Sequence, residues 1–322
     1  MQNLLSSPQT VIVHFTLIHS TPIPRQGEPT MAHTDLDKIL EDVAAGSLVP
    51  YLGPGALGDV VDQSTGAPMP ADSDSLILAM NGGKPMAPKL MYEFPRAAMN
   101  QELKKGRSSV TRFLTELYAS KTWTVGGIHR WLAAVKPGYV IDINRDLILQ
   151  NLFANSPHTL IQGVSRIGGT DYRFKIFAWD GTEYREIQQD NADPALPVLF
   201  KPLGSPLPEA NYVASDADFV DYITELMGGF AIPDFIKSMR MGKRYLFLGM
   251  RMTRDTERMV LSDIVYGAAS PKGYAVIAEP TEKEAKFCKR MNIEILRLPL
   301  EEFLAAANGY CNSAQAAADN AA

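Results

Sequence analysis

Short apolar runs that end in glycine or polar residues alternate with helical patterns along this chain, and no other feature limits its fold as strongly. Leu48-Val49-Pro50-Tyr51-Leu52 runs into Gly53, Tyr139-Val140-Ile141 runs toward Asn144-Arg145-Asp146, and Tyr245-Leu246-Phe247-Leu248 runs into Gly249. Further on, Tyr274 to Ile277 leads to a helical pattern over Glu282 to Met291, and Ile293 to Leu296 leads to another over Leu300 to Ala307. Strands joined through helices are laid parallel by the crossover, and the helices then cover both faces of the sheet. The pattern predicts an α/β, doubly wound, mostly parallel sheet that offers a ligand the carboxyl ends of its strands.

Two stretches break the alternation and read as insertions. Gly58 to Pro88 is rich in Gly and Pro, with a helix expected near Ser75 to Met80, and suits a lid. Thr159 to Gln188 alternates apolar and polar residues through Arg173 to Phe177 and turns at Asp180-Gly181, which predicts a hairpin. The first thirty residues contain Pro8, Pro22, Pro24 and Pro29 without periodicity, predicting a poorly ordered extension. Met31 precedes a capped amphipathic pattern over Thr34 to Leu40 and is an alternative translation start. Residues 308–322 are rich in Ala and Asn and are expected to form a disordered tail. One domain over residues 31–307 is the resulting organisation.

Composition narrows the class. Hydrophobic residues make up 46% of the 322-residue chain and charged residues 21%, which is ordinary globular usage. A net charge of −5, with its one dense basic run at Lys104-Lys105-Gly106-Arg107, argues against nucleic acid as partner. Two distant cysteines, Cys288 and Cys311, build neither a disulfide framework nor a four-cysteine zinc site, and suit the cytoplasm. No apolar run is long enough for a membrane span, and no basic residue precedes Val11 to Ile18 as a signal peptide requires.

Four segments carry candidate chemistry. Gly53-Pro54-Gly55-Ala56-Leu57-Gly58 follows the first strand, where glycines let a backbone approach phosphate closely; a tight turn explains them as well. Asn144 and Asp146 end the second strand, facing the crevice or capping a helix over Leu147 to Phe153. Phe200 to Ser205 is followed by a capped helix that places Phe219, Tyr222, Ile223 and Leu226 on one face. Gly249 to Asp255 ends another strand in a polar cluster.

Taken in order over Leu36 to Leu304, these segments resemble the sirtuin superfamily, specifically the zinc-less sirtuin-like proteins common in bacteria. Gly53 and Gly55 fit its Gly-Ala-Gly-x-Ser loop. His129 with Trp131-Leu132 fits its next helix, and Asn144 and Asp146 fit the Asn and Asp of Thr-Asn-Tyr-Asp. Lys201, Gly204 and Ser205 fit Lys-Leu-His-Gly-Ser; Ser215, Asp218 and Phe219 fit Thr-x-x-Asp-Tyr. Gly249 to Asp255 is similar to the closing Gly-Tyr-Ser-Leu-x-Asp with one extra residue.

The resemblance implies a Rossmann-like fold that binds NAD or ADP-ribose without zinc. It implies cofactor contacts from Gly53, Gly55, Ala56, Asn144, Gly204, Ser205, Gly249 and Arg251, and catalytic roles for Asn144 and Asp146. This chain departs from the pattern at Leu203, which stands where the family has its catalytic histidine. Leucine accepts no proton, and losing a general base costs about a hundredfold to ten-thousandfold in rate. Pro54 also removes an amide donor, and Leu57 a hydroxyl. His129 lies on an apolar helical face and reads as packing.

Three functions follow. The first is a nucleotide-binding pseudoenzyme that reports a ligand or holds a protein partner or a second copy of itself. The second is an NAD hydrolase or deacylase with a rearranged base. The third is a structural, partner-binding module without ligand.

Overall fold

The computed structural model describes residues 33–167 and 172–321. The expectation for the first thirty residues lies outside the described residues. Among the described residues eleven strands form, in chain order β1 (Leu48–Leu52), β2 (Tyr139–Asp142), β3 (His158–Gly163), β4 (Phe174–Trp179), β5 (Tyr184–Ile187), β6 (Val198–Lys201), β7 (Gly204–Ser205), β8 (Asn211–Tyr212), β9 (Arg244–Leu248), β10 (Gly273–Val276) and β11 (Ile293–Leu296). The helices are α1 (His33–Ala44), α2 (Ser73–Met80), α3 (Phe94–Lys105), α4 (Arg107–Ala119), α5 (Gly127–Val135), α6 (Ile148–Phe153), α7 (Asp216–Gly228), α8 (Asp234–Met239), α9 (Asp255–Ile264), α10 (Glu282–Met291) and α11 (Leu300–Ala321).

Nine strands build one sheet in the order β11-β10-β9-β1-β2-β6-β3-β4-β5, while β7 and β8 pair separately. All neighbours from β11 to β3 run parallel, and β3, β4 and β5 pair antiparallel. From β1 the chain lays down β2, skips one place for β3 and the edge strands β4 and β5, returns to insert β6 between β2 and β3, then crosses to the other side of β1 for β9, β10 and β11. That reversal between β1 and β9 is the topological switch of a doubly wound, Rossmann-like α/β fold.

Alternation along each strand divides the core. Tyr51, Ile141, Phe200, Tyr245 and Phe247 join one apolar cluster with residues of α7, α9 and α10. Leu52, Val140, Leu199, Leu246 and Leu248 join another with α1, α5, α6 and α11. Strands covered on both sides read as apolar runs, which is why β1, β2 and β9 are plain in the sequence.

A third cluster, from α2, α3 and α4, lies over the sheet's carboxyl edge. It includes Leu57 from the turn after β1, Ile148 at the start of α6, Tyr212 in β8 and Ala214 before α7. The expected lid, 58–88, is thus part of a larger cap that extends through α4. It carries the helix anticipated there, with Asp72 capping α2 by accepting from Ser75 N at 2.8 Å.

Two expectations need correction. Residues 159–188 are no separate insertion, because β3 pairs in register with β6 (Thr159 with Val198, Ile161 with Phe200) and extends the main sheet. The hairpin itself forms, with Asp180 Oδ1 accepting from the Thr182 and Glu183 amides at 2.9 and 3.1 Å. Residues 308–321 are helical, where a disordered tail was expected, since alanine favours helix above all other residues. Tyr310 and Cys311 pack against the cluster that contains Trp131 and Phe303. Among the described residues no helix is long and apolar enough to cross a membrane.

Candidate functional site

The carboxyl ends of β1 and β9 meet without intervening side chains. Gly53 N donates to Leu248 O at 2.9 Å, and Gly55 N donates to Gly249 O at 2.8 Å. A Cβ on Gly55 would lie 2.9 Å from Gly249 Cα, and one on Gly53 would lie 2.5 Å from Met250 Sδ. Gly249 has φ +68 and packs its Cα side against Ala56 N. These glycines are therefore required by chain-to-chain packing at the switch point. The Ala56 amide is also engaged, donating to Gly53 O at 3.0 Å as the loop turns through the 3₁₀ segment Pro54–Leu57.

Below the glycines lies a buried polar network. Asp142, the last residue of β2, faces Lys201, the last residue of β6, at 2.6 Å, and both are fully buried. Asp142 Oδ1 also accepts from Asn144 N and Asn144 Nδ2, each at 3.0 Å, while Asn144 Nδ2 donates to Gly53 O at 3.0 Å. Burial pushes the Asp142 carboxyl upward in pKa, and the Lys201 ammonium opposes this. Asp146 is fully buried, and its Oδ1 accepts from Ile148 N at 2.8 Å at the start of α6, so it serves as a helix-start acceptor. Its Oδ2 has no partner among the described residues.

His129 on α5 is fully buried, with neither ring nitrogen hydrogen-bonded among the described residues. Burial lowers its pKa against the pull of Asp146 and Asp142, which keeps the ring neutral at pH 7. Its place in the α5 apolar face matches the packing role expected from sequence.

A pocket opens beside this network under the cap. Its walls come from the Gly loop (Pro54), the segment just after β2 (Ile143, Asn144, Arg145), Leu203, Phe219, the cap (Leu76, Glu93, Phe94, Tyr118) and the start of α9 (Arg254, Glu257). The cavity measures about 50 Å³. That is room for roughly four waters.

Of the sequence-predicted site residues, Asn144 alone lines this pocket. Gly53, Gly55, Ala56 and Gly249 are gathered by the β1–β9 contact and do not line the pocket, which Pro54 of the same loop reaches. Gly204 and Ser205 lie in β7, where Ser205 Oγ donates to Leu207 O at 2.7 Å and Gly204 sits against Asn211 O. Arg251 is exposed and donates to Glu284 Oε1 at 3.1 Å, away from the pocket. Ser215 caps α7 in a capping box with Asp218, and this fixes the helix that carries Phe219 into the wall.

Residues 139–296 match a family model described as a SIR2-like domain. The chain carries a SIR2-like domain. No curated protein matches it. The strand from outside that span, β1, completes the sheet of the SIR2-like domain by pairing with both β2 and β9. Among its described residues no three His, Cys, Asp or Glu side chains are grouped to hold a metal ion.

Sequence reasoning missed Arg145, Glu93, Arg254 and Glu257 as residues of this pocket. Arg145 is buried, donates from Nη2 to Val213 O at 2.5 Å, and leaves Nε unpartnered among the described residues. Glu257 enters from the first turn of α9; burial first, then repulsion from Glu93, pushes its pKa up to about 7. A signal for Arg145 was present, since it stands between Asn144 and Asp146 where the family pattern has tyrosine.

Proposed function

We propose that the chain is a sirtuin-like nucleotide-binding protein, taking NAD or ADP-ribose at the carboxyl edge of β1, β2 and β9, with the family's histidine-dependent step lost. One observation carries this. Asn144, Leu203 and Phe219, drawn from three separate segments of the family pattern, line a single pocket beside the switch point. Crevices at that place in open α/β sheets are where such folds receive ligands.

Arg145 Nε and Glu257 Oε2, buried and unpartnered, mark polar groups for which a ligand would supply partners. A cavity of about 50 Å³ holds no whole dinucleotide, so binding requires the cap to draw back from the strand ends. Leu76, Phe94 and Pro95 are the cap residues that would have to move. Isothermal titration of the purified chain with NAD, ADP-ribose and ATP is the direct test. Saturable heat with NAD or ADP-ribose is expected, and no heat with any of them would overturn the proposal in favour of a structural module.

A second reading, an NAD-consuming enzyme with a rearranged base, draws support from Glu257, a carboxyl that exchanges its proton near neutral pH on this pocket. Nicotinamide release at about one per second, an ordinary enzymatic rate, would establish it.

A further inference from the structure

Helices α7, α9 and α10 cover one face of the sheet, yet they meet solvent differently. Outward from α10 point Glu282, Lys283, Lys286 and Arg290, with Glu282 and Lys286 paired, as on any solvated helix. The outer surfaces of α7 and α9 are apolar instead. On α7, Val220 and Met227 are 69% and 71% exposed; on α9 and just past its end, Met259 and Tyr266 are 46% and 70% exposed. Met241 is also exposed and lies beside them, since a Cβ on Gly267 would meet its Sδ.

Each pair is seven residues apart, about two helical turns, so its members point the same way. The two helices pack against one another. They also run in the same direction, because Phe219 and Glu257, in their first turns, both line the pocket at the carboxyl edge. Val220 and Met259 are each the fifth residue of their helix, and Met227 and Tyr266 follow at the same distance. The four side chains therefore stand at two matching levels of one outer surface.

Large side chains carry roughly 200 Å² apiece, so these four and Met241 expose on the order of 600 Å². A standard interface takes about 800 Å² from each partner, about two thirds of it apolar in homodimers. The patch thus has the area that a stable dimer needs.

Charge says which partner it suits. Midway between Val220 and Met227 stands Thr224, whose hydroxyl donates to Val220 O at 2.7 Å within the helix. Ser262 holds that level on α9, and its hydroxyl donates to Arg258 O at 2.7 Å. Carboxylates at the border are matched within the chain, Asp221 by Arg173, Asp255 by Arg258 and Asp263 by Arg240. Unlike partners are selected by complementary charge, which the stripe from Val220 to Met227 does not offer. A two-fold contact sets the residues at its axis against their own copies, so it favours an uncharged centre of this kind.

We propose that this face is the contact of a two-fold homodimer, in which α7 crosses the partner's α7 and α9 crosses the partner's α9, both antiparallel. The axis passes at the level of Thr224 and Ser262. Val220 then meets the partner's Met227, and Met259 meets the partner's Tyr266. The contact is independent of the nucleotide-binding proposal.

Sedimentation equilibrium of the whole chain, as wild type and as Thr224→Glu, tests this, with thermal melts to confirm that both are folded. Thr224 is exposed and bonds only within its helix, so the substitution leaves the core intact. Expected is a dimer at micromolar concentration in the wild type. The dissociation constant should rise about a hundredfold or more in Thr224→Glu, because two like charges then meet at the axis. A photo-crosslinker in place of Met227 should reach the partner's α7 near Val220. A wild type that stays monomeric, or a dimer as tight in Thr224→Glu, would overturn the proposal. Crosslinks from position 227 to residues 1–32 of the same chain would overturn it as well, by making the N-terminal segment the occupant of this face.

Discussion

The side-chain amide of Asn144 donates to the carbonyl of Gly53 at 3.0 Å, tying the end of β2 to the loop that follows β1. The same nitrogen donates to Asp142 Oδ1, so one residue holds the polar network, the glycine loop and the pocket wall in register. Asn144→Ala should lower stability by about 1–3 kcal/mol, because Asp142 and Gly53 lose a buried donor. Urea unfolding checks this. A variant as stable as the wild type would show that Asn144 serves the ligand and not the scaffold.

Gly249→Ala should be more damaging than an ordinary surface change. Its φ of +68 strains any residue with a Cβ, and the added atom would meet the Ala56 amide. A loss of more than about 2 kcal/mol is expected, with β1 and β9 forced apart. Amide exchange should then accelerate at Gly53 and Gly55, whose protons are donated across that contact.

Lys201→Met leaves Asp142 buried and unpaired. A cost of about 3–5 kcal/mol is expected, and adding Asp142→Asn should recover much of it by removing the stranded charge. Denaturant midpoints of the two single variants and the double variant give the coupling directly.

Leu203→His should confer nicotinamide release on a chain that otherwise turns NAD over about a hundredfold to ten-thousandfold more slowly than a histidine-bearing relative. Leu203 and Asn144 share the pocket, so a histidine at 203 would face the same space. Chromatographic detection of nicotinamide is the measurement. No gain, in a variant that still binds NAD, would mean that more than the histidine has been lost.

Glu257 makes stability depend on pH in a definite direction. Its folded pKa of about 7 lies above the ordinary carboxyl value of 4.5, so the folded chain keeps a proton that the unfolded chain has released. Stability from this group is intact below pH 4.5 and is lost as pH rises through 7. Glu257→Gln should therefore melt higher than wild type at pH 8, by on the order of 2–3 kcal/mol, and match it near pH 4. Equal melting at both pH values would mean that Glu257 ionises as an exposed carboxyl does.

What could be read from sequence, and what could not, follows the reach of each signal. The strand at Leu48–Leu52 and the helix at Glu282–Met291 announce themselves locally, one by continuous apolar residues and the other by the Thr281–Glu284 capping box. His158–Gly163 did not read as a central strand because His158, Thr159 and Gln162 look exposed. In the fold they are buried, and Gln162 Nε2 donates to the Ser205 and Glu209 carbonyls, both at 2.7 Å. Asn144 and Leu203 were legible as motif positions, and both line one pocket. Glu257 was not, since Asp255-Thr256-Glu257 is the acidic first turn that any solvated helix favours. Only the packing of α3 against that turn, through Glu93 and Thr256, makes it interior.

The central place of β1 also sets where the molecule can be divided. It pairs along its whole length with β9 and meets β2 on its other side, although both follow it by long stretches of chain. A fragment that begins at β2 would present two rows of unsatisfied amides and carbonyls in the middle of its sheet, an invitation to self-association. The strand that brings the glycine loop is thus also the keystone of the architecture.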